Sequence, residues 1–184
     1  VQQTGQPEST ITAATIENVK FDYQLGDASQ ATAWVAIDDM DKYEIAYECW
    51  QQFKGNEPVA AWYSDNGAHG SLPTITEFES GKSYVYSLML KPKDGYSFSS
   101  ETAVTVNGES AKSSLSGEFL YVPAVKTITM PTLTVIDVVE INGATVSFQD
   151  GDRPVFTGDV PDDVYYVLRA AWWELNSTTG LIST

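Results

Sequence analysis

Residues 78–108 read FESGKSYVYSLMLKPKDGYSFSSETAVTVNG, and this stretch decides the fold class. A period of two is typical of a β-strand with one buried face. The stretch shows it over residues 84–90, where one face would carry Tyr84, Tyr86, Leu88 and Leu90. The pairs Asp94-Gly95 and Asn107-Gly108 are turn formers, and the second pair is favoured in two-residue hairpin loops. The stretch therefore predicts antiparallel strands joined by tight turns.

The same period runs through much of the chain. Residues 15–23 alternate in this way, and over residues 43–49 we predict one face made of Tyr43, Ile45, Tyr47 and Cys49, opposite Glu44 and Glu48. Short strands separated by Gly-containing turns are typical of a sandwich or a barrel. Over residues 163–175 the apolar residues also fit the spacing of a helix. We nevertheless predict a strand there, because the segment belongs to an internal repeat.

The repeat has two parts. Residues 16–27 (IENVKFDYQLGD) resemble residues 141–152 (INGATVSFQDGD), 125 residues later, and residues 41–53 match residues 163–175, 122 residues later. Each copy of such a repeat is one structural unit, which must bury its apolar face by itself or by packing against a neighbouring unit.

The repeat divides the chain into three segments. We predict a linker or mature N-terminus over residues 1–10, a β-sandwich module over 11–130 and a partial second β module over 131–184. The partial module would be truncated or completed by another copy, with self-association as one consequence, or would pack on the first module as extra strands.

Composition excludes several classes of function. The 184 residues carry 10 basic and 25 acidic side chains, a net charge of −15, which opposes binding to nucleic acid and to anionic lipid. No apolar run approaches the roughly 20 residues of a membrane span, so membrane insertion is not expected. The single cysteine excludes an internal disulfide framework and a Cys-rich zinc site.

Residues 78–98 contain the phrases F-x-x-G-x-x-Y and D-G-Y-x-F, and residues 104–108 read VTVNG. In these phrases the chain resembles the repeated immunoglobulin-like β-sandwich modules of Gram-positive bacterial cell-surface and secreted proteins. An alternating strand ending in Trp50 is also similar to those modules. The resemblance implies an immunoglobulin-like sandwich and an extracellular setting, and it brings no catalytic or binding residue with it.

The only histidine, His69, lies in a Gly-rich loop, and the only cysteine, Cys49, has inward strand spacing. A lone loop histidine is usually solvated, and a buried thiol is usually inert. Cys49 would act as a nucleophile only beside a base such as His69. The chain has no nucleophile elbow, phosphate loop or dinucleotide fingerprint. We predict that it is not an enzyme, unless a cleft holds two carboxylates or His69 lies within reach of one.

Loop carboxylates are frequent, and the densest group is Asp38, Asp39 and Asp41. Carboxylates in loops are the usual ligands of calcium, so calcium is the one cation that the sequence indicates. The runs do not fit the 12-residue calcium loop, and solvated acidic loops are the simpler interpretation. No other cofactor is expected.

Trp62 and Tyr63 are adjacent on a predicted strand, so one of them should face outward. An exposed ring beside Asp65 and Asn66 would stack on a sugar and hydrogen-bond its hydroxyls, and Trp173 would extend this aromatic platform. The alternative is that Trp62 fills the core and Tyr63 covers a sheet edge.

We therefore expect a non-catalytic, extracellular β-sandwich module of a larger bacterial surface or secreted protein. It would act as a spacer or as an adhesive, protein-interaction domain. The alternative is a carbohydrate-binding module appended to a secreted hydrolase. The expected partner is a protein or a cell-wall or host glycan.

Overall fold

The structure, a computed structural model, describes residues 9–67, 69–161, 163–173 and 178. Contacts divide the chain into two compact units, Val1–Leu133 and Thr134–Thr184. In the described residues no helix is both long and apolar enough to span a membrane.

The first unit is built from strands, with one short 3-10 turn at Ile37–Asp39. No α-helix occurs among the residues that the structure describes, which confirms the all-β prediction. The strands are β1 Ser9–Glu17, β2 Trp34–Val35, β3 Tyr43–Lys54, β4 Glu57–Tyr63, β5 Ser83–Pro92, β6 Tyr96–Val106, β7 Glu109–Ala111, β8 Ser114–Ser116 and β9 Phe119–Thr129.

These strands form two sheets, with the orders β2-β1-β6-β7 and β4-β3-β5-β9-β8. The buried core draws residues from both sheets, as in a β-sandwich. All pairs are antiparallel except β1 with β6, which run parallel from Ser9 opposite Tyr96 to Ile16 opposite Val106. The prediction of a wholly antiparallel fold is wrong at this pair. Because a long stretch of chain separates β1 from β6, no tight turn forces them to be antiparallel.

The alternation predicted for β5 is confirmed. Tyr84, Tyr86, Leu88 and Leu90 are each 0% exposed. Burying a side chain of this size contributes about 1.5–3 kcal/mol, so this strand is a large part of the core. The predicted hairpin at Asn107-Gly108 also forms, because Val106 pairs with Glu109 and both loop residues have positive φ.

Strand β3 contains a bulge that the sequence analysis missed. Ile45 pairs with Leu90 but Tyr47 pairs with Met89, so Ala46 is an extra residue. A bulge of one residue reverses the faces of the residues that follow it. The prediction that Tyr47 and Cys49 share the face of Tyr43 is therefore wrong.

Beyond the bulge, Glu48 and Trp50 point into the core, with exposures of 2% and 0%. Tyr47 and Cys49 lie on the outer face of the five-stranded sheet. The prediction that placed Glu48 on the outer face is wrong for the same reason.

The polypeptide chain enters the first unit near one end of β5 and leaves it near the other end. Ser9 N–H donates to the Gly95 carbonyl (2.8 Å), just beyond the end of β5. Met130 N–H donates to the Lys82 carbonyl (2.9 Å), just before its start.

The second unit has little regular structure in its described residues. Asn142 and Asp159 form an isolated antiparallel bridge. The strand predicted over residues 163–175 is not formed in residues 163–173, and no helix forms there; residues 174 and 175 lie outside the described residues. A strand persists only within a ladder to a neighbouring strand, and no such ladder forms over the described residues 163–173.

Candidate functional site

The outer face of the five-stranded sheet carries a shallow depression of about 210 Å³, which we call the tyrosine depression. Tyr47 pairs with Met89, and Met89 pairs with Tyr121, so these three side chains form one row across the sheet. Cys49 pairs with Tyr63 in the next row. The residues that line it are Tyr47, Cys49, Gln51, Tyr63, Met89, Ser116 and Tyr121.

The register of β3 and β4 decides which of two neighbouring aromatics enters this site. Tyr63 pairs with Cys49, on the outer face, whereas Trp62 pairs with Trp50, on the core face. Trp62 packs against the core, partly buried. Trp62 and Tyr63 therefore lie on opposite sides of the sheet and do not form one platform.

His69 lies against this site from the loop after β4. Its ring centroid is 4.3 Å from that of Tyr63 and 4.5 Å from that of Tyr47. Its Nε2 atom is 2.8 Å from Oδ2 of Asp65. Asp65 also accepts a hydrogen bond from Gly67 N–H (3.0 Å), which holds the loop closed on itself. The imidazole is thus held against two tyrosine rings by a carboxylate.

The groups at the base of the depression are neutral near pH 7. Burial raises the pKa of the Cys49 thiol to about 11, although a hydrogen bond to Tyr63 opposes the rise. Burial and the neighbouring Cys49 raise the pKa of Tyr63 to about 12. Burial likewise raises the pKa of Tyr47.

Asp65 is the charged group at the rim. Partial burial acts to raise the pKa of its carboxyl, but hydrogen bonds from Gly67 and His69 outweigh burial, and the pKa is lowered. Asp65 is therefore ionised at neutral pH and presents a negative charge beside the rings of Tyr63 and His69.

The arrangement suits binding better than nucleophilic chemistry. His69 does lie within reach of a carboxylate, the condition that reopens the question of an enzyme. However, its ring contacts are with Tyr47 and Tyr63, and the thiol of Cys49 is held protonated. A protonated thiol is a poor nucleophile. Tyrosine rings and hydroxyls, by contrast, offer apolar contact and both hydrogen-bond roles.

Asn66 and Trp173 of the predicted platform do not line the tyrosine depression. Asn66 is an exposed loop residue with a positive φ of 54°. Trp173 belongs to the second unit and is 58% exposed. Of the predicted set, Tyr63, Asp65 and Asn66 lie together at the end of β4, where Asn66 N–H donates to the Tyr63 carbonyl (3.4 Å), and Tyr63 lines the depression.

The predicted calcium ligands do not converge. Asp39 accepts hydrogen bonds from Lys42 Nζ (2.7 Å) and from the Tyr43 hydroxyl (3.2 Å), so its oxygens are occupied by protein donors. Asp38 and Asp41 are exposed. In the described part of the chain, no three His, Cys, Asp or Glu side chains are grouped so as to hold a metal ion.

Sequence reasoning missed most of the depression. Tyr121 could have been found, because it alternates with Leu120 and Val122, which are buried. Tyr47 could not, because the bulge at Ala46 has no signature in the residue pattern. Gln51 depends on the same change of face, whereas the outward position of Met89 follows from the predicted alternation of β5.

A buried carboxyl lies on the opposite side of the same strand. Oε1 of Glu48 accepts hydrogen bonds from Thr32 N–H (2.9 Å) and Ala33 N–H (3.1 Å), and Oε2 accepts one from the Tyr86 hydroxyl (2.7 Å). Burial raises the pKa of this carboxyl, and these hydrogen bonds offset part of the rise. Glu48 thereby fastens the loop before β2 to the sheet.

Comparison with protein-family models, with curated proteins and with solved structures finds no match to this chain.

Proposed function

We propose that the chain is a non-catalytic interaction module that binds a partner protein through the tyrosine depression. The observation that carries this proposal is the grouping of Tyr47, Tyr63 and Tyr121 around a depression on an outer sheet face. Tyrosine is enriched at protein interfaces because its ring is rigid and apolar while its hydroxyl stays polar.

The size and shape of the depression favour a single anchoring side chain. Its volume of about 210 Å³ is below the usual range for sites that enclose a small molecule. The rings of Tyr47 and Tyr63 meet edge to face at 79°, so they do not form a flat platform. One inserted side chain of the partner, surrounded by weaker contacts, fits this geometry.

The setting we propose is extracellular, as an immunoglobulin-like module of a larger bacterial surface or secreted protein. The resemblance of residues 78–108 to such modules supports it. A spacer role in addition to binding is supported by the path of the chain, which enters the unit beside Gly95 and leaves it beside Lys82, at opposite ends of β5. Modules entered and left at opposite ends extend a chain when they are linked in series.

A carbohydrate is the second candidate ligand. Gln51 and Ser116 line the depression and Asp65 lies at its rim, so hydrogen-bonding groups surround the aromatic rings. One sugar ring stacked on Tyr63 or Tyr121 would contact the aromatic ring and also form hydrogen bonds with the surrounding polar groups. The tilt between the rings disfavours a long, flat polysaccharide.

The experiment is a paired screen of the full chain against a random peptide library and a glycan array. We expect peptides to be selected, and we expect Tyr63→Ser with Tyr121→Ser to weaken their binding at least about tenfold, since anchoring contacts are worth more than 1 kcal/mol each. The matched control is Trp34→Ser, which removes an aromatic residue that is 56% exposed on the other sheet.

The outcomes separate the alternatives. Glycan binding that the double variant loses and the control keeps would replace the protein ligand by a carbohydrate. Binding that the double variant keeps would overturn the assignment of the site. Absence of any binding by the folded chain would leave only the spacer role.

A further inference from the structure

The chain contains three Asn-Gly pairs, at residues 66–67, 107–108 and 142–143. In such a pair the backbone nitrogen of the glycine can attack the asparagine side chain, and the absence of a Cβ on the glycine leaves the approach open. The attack expels ammonia and closes a succinimide ring, which water opens to aspartate or isoaspartate. In a folded protein the reaction requires an asparagine side chain that is free to turn towards the next residue.

Asn107 is exposed but its side chain is held. Its Oδ1 atom accepts a hydrogen bond from Val19 N–H (3.0 Å), and its Nδ2 atom donates one to the Val19 carbonyl (2.8 Å). Both hydrogen bonds must break before the side chain can turn towards Gly108. The fold therefore protects this pair.

Asn66 lacks this protection. It lies in the exposed loop after β4, and its side chain forms no hydrogen bond within the described part of the chain. Its backbone has a positive φ of 54°, a conformation that asparagine tolerates. No side-chain hydrogen bond to a described residue has to break before this side chain turns towards Gly67.

The nitrogen that would attack Asn66 already contacts a proton acceptor, because Gly67 N–H donates to Oδ1 of Asp65 (3.0 Å). The other oxygen of this carboxylate is 2.8 Å from Nε2 of His69. A Cβ atom on Gly67 would lie 2.7 Å from that Nε2 atom and 2.9 Å from Oδ2 of Asp65. A side chain at this position would displace the pair, so the arrangement that holds His69 favours glycine directly after Asn66.

The third pair, in the second unit, is an intermediate case. Asn142 is exposed and its side chain forms no hydrogen bond to a described residue, but its backbone N–H and carbonyl are both paired with Asp159 (2.8 Å each). Among the described residues, no carboxylate accepts a hydrogen bond from Gly143 N–H. Asn142 therefore has a free side chain without the proton acceptor that Asn66 has.

We propose that Asn66 is a site of spontaneous deamidation, at which the carboxylate of Asp65 accepts the proton of the attacking Gly67 nitrogen. A bond forms between that nitrogen and Cγ of Asn66, the bond from Cγ to Nδ2 breaks, and the proton leaves with Nδ2 as ammonia. Water then opens the ring and leaves aspartate or isoaspartate at position 66. The loop gains one negative charge.

The isoaspartate product also changes the loop that holds His69. Its main chain is longer by one methylene, inside the loop that the contact of Asp65 with His69 closes. We expect this change to move the imidazole off the rings of Tyr47 and Tyr63. The movement affects binding only if the tyrosine depression is the binding site proposed above, whereas the deamidation itself does not rest on that proposal.

The test incubates the full chain in mildly alkaline buffer and follows the three asparagines by mass spectrometry of proteolytic fragments. In the folded chain we expect Asn66 to convert at least about tenfold faster than Asn107, whose two side-chain hydrogen bonds must break first. We expect Asn142 to lie between them. In urea the three rates should come within a few-fold of one another, because the dipeptide is the same in each case.

Two variants separate the parts of the proposal. Asp65→Asn keeps an oxygen beside Gly67 N–H but removes its charge, and it should slow conversion of Asn66 at least about tenfold while leaving Asn142 unchanged. Asn66→Asp adds the charge on an ordinary main chain. The ring signals of His69, the only histidine, should therefore shift in NMR spectra as isoaspartate accumulates and stay close to those of the fresh wild type in Asn66→Asp.

Three results would overturn the proposal. Equal rates at Asn66 and Asn107 in the folded chain would show that the fold does not select the site. An Asn66 that stays intact while the chain in urea reacts would show that the loop protects it. An unchanged rate in Asp65→Asn would remove this carboxylate from the reaction.

Discussion

The ionisation of Glu48 is coupled to folding. Its carboxyl is buried, and its pKa in the folded chain lies above the ordinary value. A raised pKa means that the folded state binds the proton more tightly than the unfolded state, so the contribution to stability is full below the unfolded pKa and is lost as pH rises through the folded pKa. We expect the free energy of unfolding of the wild type, measured relative to Glu48→Gln, to fall between pH 4 and pH 7. The measurement is urea denaturation of both proteins across this range.

The variant Glu48→Ala separates charge from hydrogen bonding. It leaves Thr32 N–H, Ala33 N–H and the Tyr86 hydroxyl without their acceptor, and we expect it to cost about 3 kcal/mol at pH 4 and less at pH 7, because the wild type itself loses stability over this range. If the wild type gained stability relative to Glu48→Gln as pH rises, the hydrogen bonds would outweigh burial and the direction of the pKa shift would be wrong.

At the scale of the element, the bulge in β3 sets which side chains face the tyrosine depression. Ala46 is the extra residue, so deleting it would leave Tyr43, Ile45, Glu48 and Trp50 on one face by strict alternation, as they are in the bulged strand. We expect the deletion to cost about 1–3 kcal/mol, because the bulge is lost while no large side chain changes face. Denaturant unfolding checks this, with Ala46→Gly as the control that keeps the residue count and should cost about 1 kcal/mol or less. A cost above about 4 kcal/mol, as expected if two large side chains lost their burial, would show that Ala46 is not the extra residue.

The elements differ in how much the sequence reveals of them. The alternation of β5 and the Asn107-Gly108 hairpin depend on local chemistry and could be predicted. The bulge at Ala46 could not, because Tyr47 and Cys49 continue the apparent alternation of Tyr43 and Ile45 across it. The parallel pairing of β1 with β6 is a long-range event with no local signal. Of the candidate site, Tyr63 and Asp65 were predicted; Tyr47 and Gln51 depend on that bulge, whereas the alternation of β9 could have revealed Tyr121.

On the scale of the whole molecule, the net charge of −15 acts against the compact state. Salt screens this repulsion, since the Debye length falls from about 30 Å at 0.01 M to about 10 Å at 0.1 M. We expect the melting temperature at pH 7 to rise by about 3 °C between 10 mM and 300 mM NaCl, equivalent to about 1 kcal/mol. Calorimetry at pH 4.1, the pI of the sequence, is the control, and there salt should have little effect. A rise of equal size at both pH values would assign the effect to salt in general and not to charge repulsion.

The positions where the chain enters and leaves the first unit determine how it responds to mechanical load. Ser9 is fixed beside Gly95 and Met130 beside Lys82, so a pull on the two ends acts along the length of β5. Such a pull loads the ladder of β5 with β9 in shear, and the parallel ladder of β1 with β6 also lies lengthwise between the two points. Hydrogen bonds loaded in shear break together, whereas those at a peeled edge break one at a time. The first unit is therefore built to transmit tension without extending.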